Sequence, residues 1–315
     1  MTTMKALLKE RGQLRWTEVA RPGATGAGDV EVRVERAGIC RTDLFVARGL
    51  LASADPVVLG HEFAGVVTAV GDGVENVAMG DRVTAAPLLG CGRCSPCAVG
   101  QPGYRCLQPK MLGVDVHGAF AQYITLPAAL VYRLPDTLGF DKGAYVEPVA
   151  ASLAVVEANI LPSQRGVIFG GGRIAELTRR IMAAHGFDRL RVFDPERDSP
   201  LESASLDFIV ETRADDQALA AMCDALRPGA TLVLKSRPNK AVALDLLTIV
   251  RKELRLQGAH YGPFERAIEL LAGDTLVVDD LFGPSHDIAD FEAVFKAAWA
   301  DESLKHFFSP NASSL

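Results

Sequence analysis

Four cysteines, Cys91, Cys94, Cys97 and Cys106, fall within sixteen residues in the run CGRCSPCAVGQPGYRC. Successive Cys-x2-Cys steps bring thiolates from one tight loop close enough to share a single ion. Four sulfurs in tetrahedral array satisfy zinc completely and leave no position open for chemistry. The ladder therefore predicts a structural zinc and sends the search for reacting groups elsewhere. The competing reading is a disulfide framework, a device of small secreted domains. This chain has 315 residues and begins MTTMKALLKERGQ, without an apolar signal region. Metal is the expected use of the cluster, and the cytoplasm the expected compartment.

A second set of residues mixes donor types. Cys40 lies in GICRTDL, and His61 and Glu62 lie in LGHEFAG. Thiolate, imidazole and carboxylate together are the ligands of catalytic zinc sites, which keep one position open. Glu147 in YVEPVA stands beside an apolar run, where a carboxylate is costly unless it finds a cation or hydrogen-bond donors. Taken singly, each has an ordinary account: Cys40 a small buried residue, His61 a core histidine, Glu62 and Glu147 surface acids. Their company is what gives them weight.

A third constellation suits a dinucleotide. Gly170, Gly171, Gly172, Arg173, Ile174 and Ala175 spell GGGRIA between the apolar strand VIF and a helical pattern. This matches G-x-G-x-x-G/A in the setting that lets backbone N–H groups approach a pyrophosphate. The next strand, RLRVFD, ends in Asp194, at the separation expected of an acid that accepts from a ribose 2′-OH. That favours NAD over NADP; Arg197 nearby keeps the second cofactor open.

The elements that position these groups divide in two. Up to about residue 135 the chain reads as short strands punctuated by Gly and Pro, among them EVRVERAGI, FAGVVTAVG, GDRVTAA and AFAQYITLP. This is the texture of an antiparallel barrel or sandwich. DKGAYVEPVAASLAVVEAN then carries helical spacing, and strand and helix signals alternate through RLRVFD, LDFIVET, DQALAAMCDALRPG, ATLVLKS and LDLLTIVRKELRLQGAH. Alternation of that kind predicts a parallel sheet with helices on its faces. The tail, DFEAVFKAAWADESLKHFFSP, reads as one more helix and a final strand.

One connection is too short for the usual topology. Only PERDSPLESAS separates Asp194 from LDFIVET, which leaves no room for a crossover helix, a third strand and a return helix. In the order 3-2-1-4-5-6 strand 3 lies at the edge, so its loss spares the rest. Those residues, fully extended, reach about 36 Å, enough to cross strand 1. A truncated doubly wound sheet with an abbreviated adenine pocket is expected.

Composition sets the outer limits. Hydrophobic residues make up 49% and charged residues 23%, as in an ordinary globular protein. No apolar run approaches the length of a membrane span, and a net charge of −6 argues against nucleic acid as partner.

Taken together, Cys40-Arg-Thr42-Asp43, Gly60-His61-Glu62, Gly80-Asp81-Arg82-Val83, the cysteine ladder, Glu147-Pro148 and GGGRIA resemble the zinc-containing medium-chain dehydrogenase/reductase family, nearest its polyol and threonine dehydrogenase branch. The resemblance is close over about residues 4–185 and looser beyond. It implies an α/β protein: a GroES-like β-barrel catalytic domain over 1–149 and 263–315, and a truncated Rossmann domain over 150–262. It implies catalytic zinc on Cys40 and His61, with Glu62 and Glu147 as ligands or as switches behind them. Asp43 would orient His61, and Thr42 would hydrogen-bond the substrate oxygen. It also implies a homodimer or homotetramer.

Three departures stand out. Phe45 occupies the place of a relay histidine, the gap before Cys106 is one residue longer than usual, and Ala175 replaces the third glycine. The extra residue suggests a bulge near Gln101-Pro102-Gly103. The expected activity is hydride transfer between NAD(H) and a secondary alcohol, polyol, sugar or amino-alcohol. Two alternatives compete: an NADPH-dependent carbonyl reductase, and a non-catalytic scaffold descended from the family. His117, His260, His185, His286 and His306 read as loop or surface residues, and Cys223 as a small buried one.

Overall fold

The structure, a computed structural model, describes residues 2–23, 26–273 and 275–311. The chain forms two compact units, Met1–Glu147 with Val278–Leu315, and Pro148–Val277.

In the first unit the strand Asp29–Gly38 lies at the centre of a seven-stranded sheet. It pairs antiparallel with Glu62–Val70, Tyr123–Pro127 and the tail strand Lys305–Phe308. The alternation in EVRVERAGI explains its seat: Val30, Val32 and Val34 are fully buried, while Arg33 and Glu35 are partly exposed. They share a core with Leu59, Phe63, Phe120 and Phe308, and the rings of Phe120 and Phe308 meet edge-on at 5.2 Å. Each such aromatic adds about 1.5–3 kcal/mol by burial. The tail returns to complete this unit, as the family resemblance implies.

In the second unit five parallel strands run in the order Arg191–Phe193, Gly166–Phe169, Leu206–Glu211, Leu226–Leu234, Arg255–Gly258. This is the doubly wound order without its third strand, as the short connection after Asp194 requires. Alternate residues serve the two faces: Phe169 and Phe193 pack with Leu219 and Met222 of the helix Asp216–Ala225. Ile168 and Val210 pack with Met182 of the helix Arg173–Ala183.

The structure departs from expectation in three places. The helix Phe264–Ala272 belongs to the second unit, so the boundary falls at 277/278 and not at 262/263. Gly262 N donates to Ala150 O, and Arg180 Nη1 donates to Val277 O, which binds the helix at both ends to its own unit. The helical stretch after Asp141 is two helices, Phe140–Ala144 and Val146–Leu153. Pro148 is tolerated in a first turn but not in an interior, so the second helix starts just ahead of it. Finally, Pro228-Gly229 does not end the helix before it. That helix stops at Ala225, where Lys252 Nζ donates to the carbonyls of Cys223, Asp224 and Leu226. Among the described residues no helix is long and apolar enough to cross a membrane.

Candidate metal centres and dinucleotide loop

Cys40 is the N-cap of the helix Arg41–Ala47, and Asp43 in the first turn is completely buried. Asp43 Oδ2 accepts from Cys40 N at 2.9 Å, and Oδ1 accepts from Gly60 N at 3.2 Å. The same Oδ1 lies 3.3 Å from His61 Nδ1. One carboxylate thus joins the helix start to the turn that presents His61, and fixes which ring nitrogen is engaged. The donor atoms of Cys40, His61 and Glu62 all lie within 4.8 Å of one another. Burial disfavours a charged His61, but the charges of Asp43 and Cys40 outweigh it and hold the imidazole well above its ordinary value. The surroundings favour a cation at this spot, and the donor set is one that zinc accepts.

Glu62 is 2% exposed and forms an ion pair with Lys305, whose side chain is fully buried and also donates to Ile39 O at 2.8 Å. Burial pushes the Glu62 carboxyl up, Lys305 pulls it down and Glu147 pushes it up again, leaving it raised. Room for the pair comes from Gly38, where a Cβ would stand 2.5 Å from Lys305 Cε and 2.8 Å from Glu62 Oε2. Glu147, 4% exposed in the first turn of the helix Val146–Leu153, stands outside the group of converging donors and acts on Glu62 through its charge. Thr42 follows Cys40 on the first helical turn, half-buried. Phe45 packs edge-on against Trp299 with centroids 6.0 Å apart.

The cysteine ladder closes on itself. Cys94 Sγ lies 3.4 Å from Cys97 Sγ and 3.8 Å from Cys106 Sγ, and none of the six cysteines is in a disulfide. Four sulfurs about 2.3 Å from one tetrahedral zinc would stand about 3.8 Å apart, so the residues fit the ion. Backbone N–H groups of Cys91 and Gln108 donate to Cys106 Sγ, as they would to a thiolate. The amides of Leu107 and Cys97 pull the Cys94 thiol down to about 6. Ahead of Cys106 the chain makes the tight turn Gly103–Arg105, where Gly103 packs on the Leu88 carbonyl.

In the second unit the glycine run joins the strand Gly166–Phe169 to the helix Arg173–Ala183, whose N-cap Gly172 offers no side-chain acceptor. A Cβ on Gly171 would lie 2.3 Å from Asp194 Oδ2, so the carboxylate sits directly over the loop. Asp194 Oδ1 accepts from Glu196 N at 3.0 Å, and Arg197, with a side chain 86% exposed, approaches at 3.5 Å. Beside it opens a cleft of about 450 Å³ lined by Phe169, Phe193, Pro195, Leu201, Ala218 and Ala221 among others. The rings of Phe169 and Phe193, 5.1 Å apart and buried against the helix Asp216–Ala225, form the floor of the cleft.

Comparison with known proteins gives these sites a family. Residues 26–136 match the alcohol dehydrogenase GroES-like domain. D-xylulose reductase A of Aspergillus oryzae is 26% identical over 324 residues, covering 90% of this chain and 90% of its own length. A zinc-binding dehydrogenase from Sinorhizobium meliloti 1021, bound to NADP, superposes with a TM-score of 0.89 at 26% identity, over 98% of this chain and 100% of that one. Galactitol-1-phosphate dehydrogenase from Escherichia coli does so with a TM-score of 0.87 at 26% identity, over the same shares. Residues 26–136 thus carry the alcohol dehydrogenase GroES-like domain, and the whole chain is similar to zinc-containing medium-chain dehydrogenases. It is an enzyme, an oxidoreductase of the polyol-dehydrogenase branch.

Within this dehydrogenase, sequence reasoning found the donors and missed Lys305, which lies 243 positions from Glu62. Its one signal is a lysine in the tail strand KHFF among apolar neighbours. His117 is exposed and accepts from Val58 N through Nδ1 at 3.1 Å, a structural contact. Cys223 is buried at 2% exposure, as expected.

Proposed function

We propose that this enzyme oxidises a secondary alcohol of the polyol or sugar type with NAD, with zinc at Cys40, His61 and Glu62, Glu147 as a further ligand or as the acid behind Glu62, and a second zinc on the four cysteines. The observation that carries the proposal is the convergence of Cys40, His61 and Glu62 within 4.8 Å in a buried setting. Bound there, zinc would polarise the substrate oxygen while NAD exchanged the hydride. The chain supplies the rest. Asp43 holds the His61 ring by Nδ1, which leaves Nε2 for the ion. Lys305 occupies Oε2 of Glu62, leaving the other carboxylate oxygen for the ion and neutralising a charge that burial makes costly. Thr42, at the first turn, is the hydroxyl that takes the alcohol proton. With Phe45 in place of a relay imidazole, that proton passes on to water or to the acids at the site.

Asp194 over the glycine loop, with Glu196 and Asp198 beside it, supports NAD, because a 2′-phosphate would meet carboxylate charge. The exposed Arg197 is the feature that favours the second reading, an NADPH-dependent carbonyl reductase. Metal analysis and rates on a panel of polyols test the proposal together. Two zinc per chain, one in Cys40→Ser, and a higher kcat/KM with NAD than with NADP are expected. One zinc in the unmodified protein would refute the catalytic site, and a strong NADP preference would favour the second reading.

The free thiols of all six cysteines suit a reducing compartment such as the cytoplasm. We further propose a homodimer or homotetramer built on the strand Arg255–Gly258. It ends the five-stranded order, and the neighbouring helix Leu246–Arg251 buries none of its side chains. Leu246, Leu247 and Val250 are 69%, 58% and 72% exposed, next to an open strand edge that pairing would satisfy. Light scattering should give at least a dimer, and Leu247→Asp with Val250→Asp a monomer; an unchanged mass would move the interface elsewhere.

A further inference from the structure

An open apolar pocket lies on the side of the helix Arg41–Ala47 that the dehydrogenase reaction does not use. Its volume is about 470 Å³, within the range of small-molecule sites. Leu44 and Ala47 of that helix line it, with Phe291 and Phe295 of the helix Phe291–Ala300 and Leu14 of the strand Gln13–Ala20. Residues three or four apart share a helical face, which brings Leu44, Ala47 and Arg48 to the pocket. Thr42, two positions before Leu44, faces the other way. Leu44, Phe291 and Phe295 are 3%, 9% and 8% exposed and belong to the core of their unit. The two rings meet edge-on with centroids 6.2 Å apart, so the floor is preformed. An apolar hollow rimmed by charge is the form that ligand sites take.

The rim sets the charge of the occupant. Arg48 caps the end of the helix Arg41–Ala47, with its guanidinium carbon 3.5 Å from the centre of the Trp299 ring. Resting on the indole, the guanidinium is held at the rim without engaging its N–H donors, which remain for a two-oxygen acceptor. Arg41 shares the same ring at 4.8 Å, but it pairs with Glu302. Among the described residues neither Arg48 nor Lys296 is in an ion pair, and both line the pocket. Glu292, the acid of the lining, is unpaired as well. Two cations against one acid leave a single positive charge in excess beside the apolar floor. A carboxylate matches that excess, whereas a phosphate monoester carries nearly twice the charge. We infer that the pocket binds an aliphatic carboxylate of the fatty-acid type, its head on Arg48 and Lys296 and its tail over Leu44, Phe291 and Phe295. The site is separate from both clusters of metal donors, none of whose residues line it.

The test is calorimetric titration of the full chain with decanoate. One decanoate should bind per chain, and octanoate about tenfold more weakly, since each methylene lost costs roughly threefold. Decanol keeps the tail alone and acetate the head alone, and each should bind at least about tenfold more weakly than decanoate. Arg48→Gln should weaken decanoate by about tenfold or more, and Glu292→Gln should tighten it. Trp299 reports occupancy directly: its fluorescence, isolated by Trp16→Phe, should change as the carboxylate takes up Arg48. Binding should persist in Cys40→Ser, which removes a donor from the buried cluster. The comparison of decanoate, decanol and acetate on the unmodified chain decides the matter even if a variant fails to fold. No decanoate binding, as when a second copy of the chain covers the pocket, overturns the inference. So do decanol bound as tightly as decanoate and an affinity unchanged in Arg48→Gln. Loss of binding in folded Cys40→Ser would place the carboxylate at the metal donors and overturns it too.

Discussion

Replacing Lys305 with methionine should lower stability by about 3–5 kcal/mol, the cost of leaving a buried charge without its partner. In a protein of this size that is a fall in melting temperature of roughly 10 °C. Glu62, 2% exposed, would keep its burial and the repulsion of Glu147 and lose the ammonium paired with it. The loss should depend on pH in a defined sense. The Glu62 carboxyl is already raised above its ordinary value of 4.5 in the folded protein, and removing Lys305 raises it further. A carboxyl raised by folding carries a penalty that is absent below its unfolded value and grows as pH climbs through it. The difference between Lys305→Met and the unmodified protein should therefore be largest near neutral pH and shrink on acidification toward that value. Adding Glu62→Gln should recover most of the stability, and Lys305→Arg should retain it. Zinc affinity or turnover should fall about 10–100-fold in the methionine variant. Equal melting curves for Lys305→Met and the unmodified protein would mean the pair contributes nothing.

Gly171→Ala should abolish useful dinucleotide binding while sparing the fold. The added Cβ would stand 2.3 Å from Asp194 Oδ2, and the carboxylate must move off the loop. Losing a charge-assisted hydrogen bond to the ribose costs about 1.5–3 kcal/mol, roughly a 10- to 100-fold rise in Kd. Nicotinamide fluorescence titration measures it, with the melting temperature as the check on folding. Unchanged affinity would show that Asp194 does not hold the cofactor.

Much of this was legible in the sequence because the informative spacings are local. The cysteine ladder and the alternation in EVRVERAGI each reside within one loop or element, and the glycine turn with its following acid within one strand–helix–strand unit. Even the missing third strand could be read, since a short connection is a statement about reach. What escaped was long-range. Lys305 looks like any lysine near a tail until the strand Lys305–Phe308 joins the sheet beside Gly38. His286 and His306 likewise read as surface residues until parallel pairing sets them diagonally. The helix Phe264–Ala272 joins the second unit through contacts such as Gly262 to Ala150, which no local pattern encodes.

The shortened connection after Asp194 bears on the tempo of turnover. In many dehydrogenases the departure of the dinucleotide limits the cycle. Here a cleft opens next to Asp194, and on the proposed reading the adenosine end of the cofactor would meet few contacts there. A cofactor held mainly by its phosphates and nicotinamide exchanges quickly, which shifts the slow step toward breaking the carbon–hydrogen bond. On that reading the lost strand would trade tenacity for exchange and make the enzyme responsive to the ratio of oxidised to reduced cofactor around it.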